Sequence, residues 1–260
     1  MSEYDEYLQF AKDLAREAGE IMLKYFDSTE ISKTWKEDNT LLTIADTTIN
    51  ELVIKHVMEH FPQQGVLGEE ASYKPERDSI WVVDPIDGTI PFTLGIPVST
   101  FCLAFVEDGE PKAAVIYDPF LKKMYWAKTG GGAFVNGKRI QVSDTDQLAQ
   151  NAIAIPARDL RGKNNVGRLY EKSAKNRALA FNLWSYAYEA LRVADGRIVG
   201  AVFSGESTWD GAAVKIIVEE AGGKSSDIDG DSQLYNGKLN GMIVSNGRVH
   251  DQLVKLLEDE

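Results

Sequence analysis

The strongest constraint on how this chain can fold is the run Ile80-Trp81-Val82-Val83 followed by Asp84-Pro85-Ile86-Asp87-Gly88-Thr89. Four consecutive apolar residues bounded by polar ones predict a short buried strand. Pro85 has no backbone N–H and a fixed φ, so the strand ladder is expected to stop there. Gly88 permits an unusual backbone angle or the close approach of a ligand. The predicted result is a tight turn presenting two anionic oxygen ligands, with Thr89 and open backbone amides just behind. Hard ligands of this kind suit Mg²⁺, and Mg²⁺ in turn suits phosphate.

An Asp-Pro or Asp-Gly pair on its own is most often only a turn. Here two further acidic segments accompany it. Glu69-Glu70 closes the short apolar segment Gly65-Val66-Leu67-Gly68. Trp209-Asp210 opens a run in which Ala212, Ala213, Ile216, Ile217 and Glu220 fall at helical spacing. Capping alone would justify Asp210 near a helix N-terminus, but three such segments together point to a metal site.

Around these segments the hydrophobic period changes along the chain. Tyr7, Leu8, Ala11, Leu14, Ala15, Ala18, Ile21, Met22 and Tyr25 predict a long amphipathic first helix. Asp46 opens a second one, with Ile49, Leu52, Val53 and Val57 on one side. From about 80 to 142 the pattern is of short β-rich runs, at 98–106, 113–117, 123–127 and 133–135. Turns at Asp108-Gly109, Asp118-Pro119 and Asn136-Gly137 separate them. This predicts a mostly antiparallel sheet laid against the two N-terminal helices. A second half then alternates strands at 152–155 and 198–203 with helices at 166–175, 184–194, 209–221 and 249–257, which suggests an α/β layer. The polar segment 158–165 is expected to be a loop. The expected division is an N-terminal α+β half, 1–145, and a C-terminal α/β half, 146–260, in a single compact unit.

Charge narrows the function. The formal net charge is −12, which leaves no basic footprint for nucleic acid. Clustered carboxylates also repel phosphate unless cations sit between them, so a phosphate substrate requires metal first. No membrane-spanning run or basic, apolar leader is visible, and the single cysteine, Cys102, excludes an internal disulfide. Together these point to a cytoplasmic address, with Cys102 a buried strand thiol. Gly223-Lys224-Ser225 resembles the end of a phosphate-binding loop, but Val218 stands where its first glycine belongs. His56 and His60 are four apart on one helix face. They lack a Glu at the metalloprotease position between them and are read as surface or packing residues.

The chain resembles the inositol monophosphatase family, the magnesium-dependent, lithium-sensitive phosphomonoesterases whose relatives act on fructose bisphosphate, histidinol phosphate and phosphoadenosine phosphate. The resemblance is carried by Gly68-Glu69-Glu70, by Trp81 to Thr89, and by Trp209-Asp210-Gly211-Ala212-Ala213 leading to Glu220-Ala221-Gly222-Gly223. Thr43-Ile44-Ala45-Asp46 and the stretch from Gly130 to Gly137 match more weakly. It implies an α+β / α/β fold, a layered αβαβα sandwich, with the metal site between the halves and a homodimer as the family's habit.

Residue by residue, the resemblance implies that Glu69, Asp84 and the carbonyl of Ile86 hold one Mg²⁺. Asp84, Asp87 and Asp210 hold a second, about 4 Å away, and the site takes two or three ions in all. Thr89, backed by Asp46, orients and activates the attacking water, with Glu69 counted in the catalytic set. The amides of Gly88 and Thr89 cradle the phosphate. Lys36 is either a further phosphate-side cation or a solvated loop lysine.

Departures from the family pattern concern the substrate. Phe181 to Tyr188 puts aromatics where inositol-cleaving relatives carry small residues, and Phe203 stands where some relatives place an acidic residue. Ser185, Tyr186, Phe203 and Glu206 are the candidate pocket residues, although the aromatic run could serve a dimer surface instead. The implied activity is hydrolysis of a small polyol or sugar phosphate, inositol-1-phosphate-like, by a metal-activated water. The alternative is histidinol phosphate, with Glu206 or Asp159 as the acidic wall for a cationic amino-alcohol. Fructose 1,6-bisphosphate, or an idle metal-binding role, stands further off.

Overall fold

The apolar stripe of the first helix, α1 (Glu3–Tyr25), faces inward as its spacing predicts, with Leu8, Ala11, Leu14, Ala15, Ala18 and Met22 buried. The structure is a computed structural model and describes residues 3–26, 33–35, 41–157 and 166–258. Lys36, Asp159 and the expected loop at 158–165 lie outside the described residues. A short hairpin of β1 (Lys33–Trp35) and β2 (Leu41–Thr43) leads into α2 (Ile44–His60). This helix starts two residues before the expected position. Thr43 is its N-cap, and Thr43 and Asp46 form a reciprocal capping box. Asp46 is therefore the third helical residue, not the opener.

A seven-stranded sheet follows in chain order. Its strands are β3 (Gly65–Gly68), β4 (Ser79–Asp87), β5 (Thr100–Glu107), β6 (Glu110–Asp118), β7 (Lys123–Lys128), β8 (Gly132–Val135) and β9 (Lys138–Arg139). A single turn of helix, α3 (Thr89–Thr93), sits between β4 and β5. Only the β3–β4 pair is parallel, and the tight turns between the later strands fall where they were predicted.

The ladder does not stop at Pro85. Asp84 pairs with Cys102 and Asp87 with Thr100, which leaves one extra residue on β4 and makes a β-bulge. The bulge tolerates proline because the ladder is already interrupted there. Its consequence is functional, since it resumes the strand with Asp87 near Asp84 at the same end of the sheet.

The second sheet is built from β10 (Ala152–Ala154), β11 (Leu179–Phe181), β12 (Gly200–Phe203), β13 (Lys224–Ser226) and β14 (Met242–Ser245), in the order β11-β10-β12-β14-β13. Its helices are α4 (Val166–Lys175), α5 (Tyr186–Ala194), α6 (Thr208–Glu220) and α7 (His250–Leu257). β10 runs parallel to β11 and β12, whereas β14 is antiparallel to β12 and β13. The expected helix at 184–194 begins at Tyr186 because Ser185 caps it and Trp184 takes a left-handed φ of 60°.

Side-chain alternation sets the layers. Trp81, Val83, Phe101, Leu103 and Phe105 turn toward α1 and α2. Ile80, Val82, Cys102, Ala104 and Val106 turn the other way, into a core shared with α5 and α6. Cys102 is the expected buried free thiol. α4 and α7 cover the far face of the second sheet around Ile153, Val202 and Ile243. The layers read helix, sheet, helix, sheet, helix, which is the αβαβα sandwich. Among the described residues no helix is long and apolar enough to cross a membrane.

Candidate active site

A cavity of about 160 Å³ opens where β3 and β4 end. Its floor is made of carboxylates. Glu69 follows β3, Asp84 and Asp87 flank the β4 bulge, and Asp210 lies in the first turn of α6. The turn carrying Glu69 is fixed from behind by Asn50 of α2. The Asn50 Oδ1 accepts from the Glu70 N–H at 3.3 Å, and its Nδ2 donates to the Ala71 carbonyl at 2.9 Å. Gly205 leaves room for Asp210, since a Cβ there would come within 2.4 Å of its Oδ2.

Two carboxylates three residues apart meet opposite environments. Asp87 accepts at Oδ1 from the Tyr186 N–H at 2.9 Å, and at Oδ2 from the Ala187 N–H at 3.1 Å, from Thr100 Oγ1 at 3.3 Å and from the Ser185 hydroxyl. The N-terminus of α5 is therefore aimed at this one side chain, and its dipole favours the negative charge. Burial raises the carboxyl's pKa, and these donors pull it back. Asp84 is 3% exposed, and its Oδ1 has no hydrogen-bond partner. Burial, then the charges of Glu69, Asp87 and Asp210, hold its carboxyl well above the usual carboxylate range. Asp210 is pushed the same way by burial, then by Glu69 and Asp87. A carboxylate oxygen left orphaned among like charges, in a buried site of hard oxygens, is the donor set a divalent cation needs.

Asp46 approaches from the start of α2. Its Oδ2 accepts from Thr43 Oγ1 at 2.6 Å and from the Thr43 N–H at 2.9 Å, while Oδ1 is buried without a partner. Burial first, with the charges of Glu69 and Glu70, pushes the carboxyl up to about 7 against the lowering effect of the Thr43 bonds. The expected bond from Thr89 to Asp46 is not formed. The Thr89 hydroxyl donates to the Ile86 carbonyl at 3.1 Å, and the capping box has already oriented Asp46 toward Thr43. Gly88, at φ 83°, precedes α3, whose first amides have no helical acceptor.

The opposite side of the cavity is formed by Ile90, Ala157, Asn182, Trp184 and Tyr186. Asn182 is committed at both ends, donating to the Ile155 carbonyl at 2.7 Å and accepting from the Trp184 N–H at 2.8 Å. This local turn keeps Trp184 in its left-handed conformation, a position a bulky residue rarely holds without a reason. Behind it, the buried Glu189 accepts from the Leu183 N–H. The Tyr186 hydroxyl lies 3.1 Å from Ser204 Oγ, its ring sits 4.8 Å from that of Phe203, and burial pushes the phenol up to about 12.

Of the four residues expected in the substrate pocket, only Tyr186 lines the cavity. Ser185 is 1% exposed and supports Asp87 because it caps α5. Phe203 is buried beneath Tyr186, and Glu206 is engaged in an ion pair with Lys238. Sequence reasoning pointed to the run 181–188 as pocket or dimer surface without singling out Trp184 and Asn182, and missed Thr43 as the group that fixes Asp46. The signal for Thr43 was present, because Thr-x-x-Asp before a helical run is a capping pattern. No periodicity marks a loop residue such as Trp184.

Residues 3–260 match the inositol monophosphatase family. The chain is 32% identical to a protein of Thermotoga maritima described as fructose-1,6-bisphosphatase/inositol-1-monophosphatase, over 97% of this chain and 96% of that one. It is 33% identical to a histidinol-phosphatase of Chlorobaculum parvum, over 95% of each. The solved structure of an IMPase from Thermotoga maritima matches with a TM-score of 0.87 at 31% identity, covering 97% of this chain and 96% of the other.

Proposed function

The chain belongs to the inositol monophosphatase family and is a phosphatase of it, and from that premise we propose that it is a Mg²⁺-dependent phosphomonoesterase acting on a small polyol or sugar phosphate. The observation that carries the reading is the orphaned, buried Oδ1 of Asp84 among Glu69, Asp87 and Asp210. Glu69, Asp84 and the Ile86 carbonyl would hold one ion, and Asp84, Asp87 and Asp210 a second. When bound, Mg²⁺ supplies the positive charge that neutralises the phosphoryl oxygens and makes water acidic enough to attack at neutral pH. The unpartnered Oδ1 of Asp46 is available to orient that water or take up its proton. The amides of Gly88 and Thr89 supply donors to the phosphate, and Asp87 is held in place by the start of α5.

A second substrate reading, histidinol phosphate, is favoured by one feature. The wall offers a half-exposed indole and few hydrogen-bonding groups not already committed, which suits a planar ring better than a ring of hydroxyls. The 33% identical histidinol-phosphatase supports it. The acidic wall once expected from Glu206 does not, since that side chain is paired with Lys238. Phosphate release with Mg²⁺ from inositol 1-phosphate and from histidinol phosphate, compared as kcat/KM, separates the two. Absence of Mg²⁺-dependent release from a broad panel of phosphomonoesters overturns both.

A further inference from the structure

Helix α2 carries Asp46 in its first turn, within reach of the charges of Glu69 and Glu70, and ends, ten to fourteen residues on, with His56, Glu59 and His60. At 1.5 Å rise per residue the two ends are about 15–20 Å apart, so this last turn is separate from the cavity. His56, Glu59 and His60 each offer a ligand atom, and these atoms lie within 4.8 Å of one another. The two imidazoles project from one face, four residues apart, with rings 11° from parallel and centroids 5.8 Å apart.

The tautomer of His60 favours coordination. Its Nδ1 lies 2.9 Å from the His56 carbonyl oxygen, which can only accept, so Nδ1 carries the hydrogen and Nε2 keeps its lone pair. A backbone carbonyl orienting the non-ligating nitrogen is the support that metal-binding histidines habitually have. Phe10 of α1 holds the ring from one side, with centroids 5.6 Å apart. The same helix contributes a further oxygen, since Glu17 Oε2 lies 3.8 Å from His56 Nε2. Glu59 and His60 are exposed, so an ion can reach the site from solvent. The remaining histidine shares none of this, because His250 is buried between Ser226 and Ser245 with both ring nitrogens engaged.

We infer that His56, Glu59 and His60, joined by Glu17, form a binding site for a borderline transition-metal ion of the Zn²⁺, Ni²⁺ or Cu²⁺ class that bridges α1 and α2. Two imidazoles and two carboxylates suit such ions and not Mg²⁺, which prefers an all-oxygen shell. An ion bound there ties together the two helices that cover one face of the seven-stranded sheet. It therefore stabilises the folded chain without entering the reaction.

The test uses the full chain saturated with Mg²⁺ and titrated with Zn²⁺ by calorimetry, with thermal melts alongside. Wild type should bind one more equivalent of Zn²⁺ than the His56→Gln/His60→Gln variant and should gain a Zn²⁺-dependent rise in Tm that the variant lacks. Without Zn²⁺ the variant should melt as wild type does and keep its Mg²⁺-dependent phosphatase rate. Glu17→Gln should weaken Zn²⁺ binding several-fold. Equal Zn²⁺ stoichiometry in wild type and double variant overturns the site, and unaltered affinity in Glu17→Gln overturns the bridge to α1.

Discussion

Asp84 and Trp184 face the same cavity from surroundings that differ in kind. Asp84 lies buried in an interior strand, paired with Cys102 of β5 and directly following Val83, which pairs with β3. Its companion Asp87 is gripped by the start of a helix, and Asp46 by a capping box. Trp184 is 43% exposed, sits on a loop, and depends on Asn182 and a left-handed backbone for its position. The floor is specified by the whole fold, the wall by a few local bonds. Turnover and substrate choice should therefore be separable by mutation.

The sharpest way to break this comparison is Asp84→Asn. Loss of this carboxylate should lower kcat/KM by about three powers of ten or more on every substrate alike, measured as steady-state phosphate release. The same change removes a buried charge from among like charges, so the metal-free protein should melt higher than wild type. A loss confined to one substrate would mean that the floor also selects.

Glu189 tests how far the wall depends on what lies behind it. Burial, with the charge of Asp87 adding, pushes its carboxyl from an ordinary value of 4.5 up to about 8. The native state then holds a proton that the unfolded chain releases, so this group's contribution to stability is full below about pH 4.5. It is lost as the pH rises to about 8. Glu189→Gln, neutral at every pH, should abolish that slope and exceed wild type above pH 8 by on the order of a few kcal/mol in denaturant unfolding. Turnover should change far less than in Asp84→Asn.

The floor has a pH dependence of its own. Protons compete with Mg²⁺ for the raised carboxyls of Asp84 and Asp210. The Tm gain on adding Mg²⁺ should therefore keep growing as the pH rises above the ordinary carboxylate range, and Asp84→Asn should flatten that growth. The smallest effect belongs to the wall. Trp184→Gly relieves a left-handed backbone and should leave stability equal or higher by about 1 kcal/mol. It should also lower kcat/KM about tenfold for a ring-bearing phosphate and little for an open-chain one.

What is legible in the residues alone follows the same division. The carboxylates of the floor were legible because each borders a segment with a clear period or an apolar run, as Asp84 follows Val83 and Asp210 precedes the spacing of α6. The helices α1 and α4 were legible for the same reason. β11, β13 and β14 were not, since three or four residues carry no period and only the sheet around them makes them strands. Pro85 misled because a missing N–H ends a regular ladder but fits a bulge. Ser185 and Phe203 misled because a position in a family pattern does not say which side of a helix or strand faces the cavity. Within the aromatic run, Trp184 was not singled out because its place on the wall depends on one backbone angle.

The grip of α5 on Asp87 also bears on the order of events during synthesis. Ser185 and Asp87 are 98 residues apart, and the two partners belong to segments on either side of the interface between the sheets. Forming that contact requires closing a long loop, a slow step that follows local structure. A chain whose first sheet has folded but whose α5 has not docked holds Asp84 and Glu69 without their full complement. Under the proposed function the emerging protein should be inert as a phosphatase until its later residues arrive, which would make activity itself a late marker of completed folding.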